Sequence, residues 1–164
     1  MNTAKRFVLI FIVLVSCVSC DQTTKTLAQS FLSEREVWSF LGDTVRLQLA
    51  HNHGAFLGLG ASLPTDWREG LFSVGVGGML LFLLGLALFS KSTSSLVLLA
   101  FALMFAGGVG NLMDRLMYNG YVVDFINIGV GSLRTGIFNV ADIAVTAGVF
   151  MLIADMLNEK NKVF

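Results

Sequence analysis

The sequence is poor in the groups that most soluble folds and many enzymes depend on. Charged residues make up 13% of its 164 positions, and proline occurs once. Soluble domains carry about 25% charged residues, so this scarcity points to a membrane protein. Only 2 cysteines are present. Cys17 and Cys20 both lie in an apolar run, so neither a disulfide framework nor a zinc site is indicated. Formal net charge is +0, from 11 basic and 11 acidic residues, and no basic stripe for nucleic acid results. Motifs for zinc hydrolysis, phosphate cradling and dinucleotide binding are missing. Ser16, Ser19 and Ser62 have no nucleophile-elbow context. His51 and His53 sit close together in a glycine-rich stretch, a poor arrangement for a metal site.

What is present is apolar: 55% of residues are hydrophobic. The first run, about 7–25, has an uninterrupted apolar part from Phe7 to Cys20. That is short of the roughly 20 residues a span needs, so the polar stretch from Asp21 to Lys25 must complete it. Asp21 and Lys25 then share one helical face, either as a salt bridge at the water boundary or at the rim of a site. Lys5, Arg6 and the apolar run to Leu14-Val15-Ser16-Cys17 also look like a lipoprotein signal with Cys17 lipidated. Three further membrane-length segments weigh against that reading.

The second span covers about 68–89. Pro64, Asp66 and Glu69 mark its start, and no charge follows from Gly70 to Phe89. The third covers about 95–116, after a turn at Ser90–Ser95, and is thinned by Gly107, Gly108 and Gly110. The fourth covers about 139–157, with Asn139 and Asp142 at the spacing of a helix cap and its third-position partner. The residues from Asn158 to Lys162 read as a solvated end.

Between the first two spans, at about 26–64, Thr44, Arg46 and Gln48 alternate with Val45, Leu47 and Leu49, the period of a half-exposed strand. Val37, Trp38, Phe40 and Leu41 supply material for another strand, and Trp38 and Trp67 suit a membrane interface. The fold class expected is an all-α polytopic membrane protein, a single domain over 1–164, with four transmembrane helices and a small extracytoplasmic β element. Four spans place both termini on one side; Lys5, Arg6, Lys91, Lys160 and Lys162 make that side the cytoplasm.

On this topology Asp21, Asn52, Asp124 and Asp142 share the extracytoplasmic end. Asp124 stands among the apolar residues of YVVDFINI, on an extended segment with Val122 and Ile126 on its face. Where the loop between the third and fourth spans folds back, Asp124 and Asp142 come together. Two close carboxylates share a proton. One then serves as base towards water while its protonated partner donates to a carbonyl oxygen, chemistry that needs no metal, cofactor or serine. From pattern alone, a proton or ion path in a small transporter or channel component remains the alternative. Against it, the spans are few, no internal repeat is evident, and the acids lie at one face.

Five ordered blocks carry a resemblance: DQTTK from Asp21 to Lys25, NHGAF from Asn52 to Phe56, GGVGNLMDR from Gly107 to Arg115, GYVVDF from Gly120 to Phe125, and FNVAD from Phe138 to Asp142. They are similar to the blocks of bacterial lipoprotein signal peptidase, the type II signal peptidase family, over almost the whole chain. That resemblance implies a membrane aspartic protease of the inner membrane. It implies Asp124 and Asp142 as the catalytic pair, with Asp21, Lys25, Asn52, Gly54, Asn111, Asp114, Arg115 and Asn139 supporting it or binding substrate. Asp114 and Arg115 would brace the end of the third span and the strand after it. Asn111 and Asn139 would orient the carboxylates, and Asn52 and Gly54 would contact substrate. The implied substrates are diacylglyceryl-prolipoproteins, cut just before the lipidated cysteine, met by a monomer through a cleft open to membrane lipid. Gly107, Gly108 and Gly110 would let the substrate helix lie close, a mobile loop would close over the site, and globomycin-like cyclic peptides would inhibit.

Overall fold

In the computed structural model of the chain, residues 1–54, 70–90 and 94–160 are described. The expected start of the second span at Pro64, Asp66 and Glu69, Trp67, the closing loop, and Ala55 and Phe56 of the NHGAF block lie outside those residues, as do Lys91 and Lys162. Helix α1 spans Thr3–Phe31, with Asn2 capping it by accepting from the Lys5 amide at 3.0 Å. Strands β1 (Trp38–Phe40) and β2 (Val45–Asn52) follow. A π-helical turn at Gly70–Gly75 leads into α2 (Val76–Phe89). Helix α3 is Ser95–Met117, β3 is Val122–Val130, β4 is Leu133–Arg134 and α4 is Val140–Lys160. Among the described residues, 3 helices are long and apolar enough to cross a membrane: Thr3–Phe31, Ser95–Met117 and Val140–Asn158. Ser73–Phe89 is a shorter apolar helix.

The helices form an antiparallel bundle with distinct ends. At one end the buried Arg6 guanidinium donates to the carbonyls of Ala87 (3.3 Å) and Ser90 (2.6 Å) where α2 runs out of amide donors. Arg6 is thus a cap for a neighbouring helix as well as a flanking charge. Ser94 joins the same end to α4 by donating to Asp155 at 3.0 Å. At the other end, α1, α3 and α4 meet around Asp21, Gly110 and Ala141. Ile10, Ala87, Leu98 and Ala102 form the apolar core between these ends.

Two expectations need correction here. The first helix does not stop near Lys25. Thr26–Phe31 contains no helix breaker, and the helix runs on until Ala28 and Leu32 pack against Phe125. Residues 26–31 therefore belong to α1 and not to the β region. Nor is that region confined to 26–64. All strand pairs are antiparallel in the order β1-β2-β3-β4, so half the strands come from after α3. The chain makes that return through Asn119 and Gly120, whose φ values of 53° and 90° lie in the left-handed region that Gly120 adopts without strain.

A third correction concerns Gly107, Gly108 and Gly110. Their space is taken by the protein's own elements. A methyl on Gly107 would strike the Ala141 carbonyl and stand 2.9 Å from Val145 Cγ2; on Gly108 it would meet Leu80; on Gly110 it would lie 2.8 Å from Asp21 Oδ2. These small residues bring α4, α2 and α1 onto α3. Gly107→Ala is therefore expected to lower stability by about 1–3 kcal/mol through overpacking against a backbone that cannot yield. Thermal unfolding in detergent checks this, and an unchanged melting temperature would contradict the close α3–α4 approach.

Candidate active site

Asn139 and Asp142 build the start of α4. The Asn139 Oδ1 accepts from the Asp142 amide at 2.9 Å, and Asp142 Oδ2 accepts from the Asn139 amide at 3.2 Å. This reciprocal pair satisfies two donors that a helix start leaves open. A third, the Ala141 amide, donates at 2.9 Å to Asp21 Oδ1 from α1. The remaining oxygen of Asp142 accepts from Asn111 Nδ2 on α3 at 2.9 Å. Asp142 is half-buried.

Asp124 is buried on β3, opposite Ala50 of β2. Asn139 Nδ2 donates to its Oδ1 at 2.7 Å and Asn52 Nδ2 to its Oδ2 at 3.0 Å. Asn139 therefore binds both aspartates, one through its amide nitrogen and one through its backbone and amide oxygen. Its Nδ2 also reaches the Val123 carbonyl (3.2 Å) and Asn111 Oδ1 (3.1 Å). Burial, followed by the negative charge of Asp142, pushes the Asp124 carboxyl up to about 7. The donors on Asn52 and Asn139 and the charge of Lys25 oppose that rise. Asp124 thus keeps its proton in acid and gives it up as pH passes neutrality.

Beneath the pair lies an ionic layer. Lys25 Nζ stands 2.8 Å from Asp21 Oδ2 and 2.8 Å from Asp114 Oδ2, with side chains only 2%, 1% and 0% exposed. The Asp21–Lys25 pair is therefore an interior contact and not a water-boundary salt bridge. Lys25 also donates to Asn111 Oδ1 at 3.1 Å. Asp114 Oδ2 accepts from the Val123 amide at 3.0 Å, tying α3 to β3 directly before Asp124. Arg115 turns elsewhere: its NH2 donates to the Gly54 carbonyl at 3.0 Å and its NH1 to the Asn111 carbonyl at 3.3 Å. Asn52 Oδ1 accepts from the Gly54 amide at 2.9 Å, so that end of β2 is held from both sides.

The structure brings together all ten residues singled out in the sequence, but distributes them differently from expectation. Asp114 ties α3 to β3, whereas Arg115 holds the Asn52–Gly54 turn. Asn52 spends its amide on Asp124. Gln22 is not among the expected residues, yet its Nε2 donates to Asp114 Oδ1 at 2.8 Å, Asp21 Oδ2 at 3.2 Å and the Gly110 carbonyl at 3.3 Å. Its place beside Asp21 in DQTTK was the available signal. His51 and His53 do not join the site: His51 Nδ1 meets Glu34 at 2.8 Å, and both rings pack on Tyr121. No group of metal-ligating side chains is found among the described residues.

Removing the Asn52 donor takes away an interaction that favours the ionised form of Asp124. Asn52→Ala is therefore expected to move its titration above about 7. Infrared titration of the protonated carboxyl band, compared with and without Asn52, checks the sign; a downward move would contradict it.

Comparison with known proteins bears on this arrangement. The chain is 33% identical over 165 residues to the lipoprotein signal peptidase of Francisella tularensis subsp. mediasiatica (strain FSC147), covering 99% of each chain. To that of Dichelobacter nodosus (strain VCS1703A) it is 36% identical over 157 residues, covering 95% of this chain and 98% of the relative. A bacterial membrane enzyme solved by the in meso method at 2.3 Å resolution superposes with a TM-score of 0.81 at 26% identity, over 93% of this chain and 90% of that one. A second such structure, at 1.9 Å, gives 0.79 at 26% identity, over 90% and 92%. The family model described as signal peptidase (SPase) II matches residues 12–158, and with these likenesses it shows that the chain belongs to the signal peptidase II family.

Proposed function

We propose that this chain, a hydrolase by family, cleaves diacylglyceryl-prolipoproteins on the N-terminal side of the lipidated cysteine, with Asp124 and Asp142 as its catalytic pair. One observation carries the assignment of the pair: Asn139 binds both carboxylates at once, at 2.7 Å to Asp124 and 3.2 Å to Asp142. Asp142 accepts from a backbone amide at the start of α4, a place that favours negative charge, so Asp124, whose carboxyl burial pushes up to about 7, keeps the shared proton. It donates that proton to the scissile carbonyl oxygen while Asp142 takes one from the attacking water. The tetrahedral intermediate then collapses as Asp142 returns its proton to the leaving amine and Asp124 recovers its own from the hydroxyl. Atoms balance to one water added across one peptide bond.

An apolar cleft of about 300 Å³ supports a lipidated substrate. Leu27, Ala28, Phe31, Trp38, Leu47 and Phe125 are among its lining residues, and Phe125 follows Asp124 in the chain. Asp21, Lys25, Asn52, Gly54, Asn111, Asp114, Arg115 and Asn139 hold the pair and its surroundings. We place the protein as one domain, a monomer with four spans in the bacterial inner membrane, counting the π turn and α2 as the second. Its termini face the cytoplasm and the pair faces the opposite side. Globomycin-like cyclic peptides are expected to bind at the pair.

Asp124→Asn and Asp142→Asn are each expected to fold, to keep their melting temperature within a few degrees, and to lose cleavage by about 10²–10⁴-fold or more. A gel-shift assay on a lipidated prolipoprotein in detergent or nanodisc reads this out. Retained cleavage by both variants would sink the assignment of the pair.

A further inference from the structure

The ionic layer under the site has a regular construction. Two carboxylates, Asp21 on α1 and Asp114 on α3, share the Lys25 ammonium at 2.8 Å each. Each also accepts from one backbone amide beyond its own helix. Asp21 takes the Ala141 amide at 2.9 Å and Asp114 takes the Val123 amide at 3.0 Å. Ala141 immediately precedes Asp142, and Val123 immediately precedes Asp124. The spacing of Asp21 and Asp114 is therefore passed, one residue later, to the spacing of the reacting pair. Lys25 alone does not fix that spacing. Its flexible stem carries a compact charge that holds each oxygen by attraction without a fixed angle.

Gln22 supplies the angular constraint. Its planar amide nitrogen donates to Asp114 Oδ1 (2.8 Å), Asp21 Oδ2 (3.2 Å) and the Gly110 carbonyl (3.3 Å). With Lys25 on Asp114 Oδ2 and Gln22 on Oδ1, both oxygens of that carboxylate are anchored to α1. Gly110 closes the arrangement, because a side chain there would occupy the place of Asp21 Oδ2. Gln22 has no hydrogen bond to either member of the reacting pair among those described, and it carries no charge.

We propose that Gln22 is a positioning residue of this peptidase, setting the separation of Asp124 and Asp142 through the two carboxylates and two backbone amides beneath them. The proposal rests on the reading of Asp124 and Asp142 as the reacting pair. A misplacement of about an ångström at reacting groups costs on the order of 10²-fold in rate, so the effect belongs in turnover.

The test uses the full-length enzyme in nanodiscs with a lipidated prolipoprotein. Gln22→Met keeps length and removes both donors. It is expected to lower kcat about 10- to 100-fold, with KM within about twofold of wild type, once active enzyme is counted by folded, inhibitor-binding protein. Gln22→Glu keeps length and polarity but places a further acid between Asp21 and Asp114. Protonation restores a donor, so the ratio of its kcat to that of wild type is expected to rise as pH falls. A role only in stability would reduce the amount of folded enzyme and leave kcat per folded enzyme unchanged. An unchanged kcat in folded Gln22→Met, or a pH-independent ratio for Gln22→Glu, overturns the proposal. Asp124→Asn runs in parallel: if it retains cleavage, the assignment of the pair has failed; if it is inactive while Gln22→Met is normal, only the positioning role has.

Discussion

The site depends on one ammonium shared by two carboxylates in the interior of a helix bundle. Lys25 lies with Asp21 and Asp114 where side chains are at most 2% exposed, so none of the three charges has water as an alternative partner. Breaking such a pair by removing one partner costs about 3–5 kcal/mol, because it strands the other charge. The consequence is specificity of assembly. Helices α1 and α3 meet in the register that brings Asp21, Lys25 and Asp114 together, and any other would strand a buried charge. Once they meet so, Asp21 Oδ1 holds the amide before Asp142, and Asp114 Oδ2, which also meets Lys25, holds the amide before Asp124. Fold and site are thus determined by the same contacts.

Asparagine completes what the charges begin. Asn139 caps α4, binds Asp124 and meets Asn111; Asn111 in turn takes Lys25 on its oxygen and gives its amide to Asp142. A neutral amide can donate and accept at once, so these two residues connect the ionic layer to the pair without adding charge. Adding charge would be costly there: among the described residues, four carboxylates (Asp21, Asp114, Asp124 and Asp142) already face two cations, Lys25 and Arg115. A shared proton on the upper pair lowers that imbalance, which fits the high proton affinity of Asp124.

Much of this was legible in the sequence wherever the signal is local. The apolar run from Ser95 gives α3, the alternation from Val45 gives β2, and the Asn139–Asp142 spacing gives the start of α4. The features that escaped are long-range. Residues 26–31 hold no helix breaker, but nothing in them shows that α1 ends where Ala28 and Leu32 pack on Phe125. Nothing near Val45 shows that its strand will pair with Ile128. Gly107, Gly108 and Gly110 signal a close approach but not what approaches, and the occupants are the protein's own helices and side chains. Gln22, an uncharged residue between Asp21 and Thr23, gives no local sign of its role until its acceptors are known.

The glycine contact between α3 and α4 has a consequence for how firmly the two aspartates are held. Gly107 meets the Ala141 backbone, and farther along Gly148 meets the Ala100 carbonyl and Met104. Close main-chain approach at two points along the pair packs α3 and α4 tightly, and Asp142 stands beside one of them. Asp124 sits in the buried stretch Val122–Phe125 of β3, and exposed positions on the strand begin only at Ile128. Both aspartates are therefore carried by closely packed backbone, and the exposed end of β3 lies beyond them.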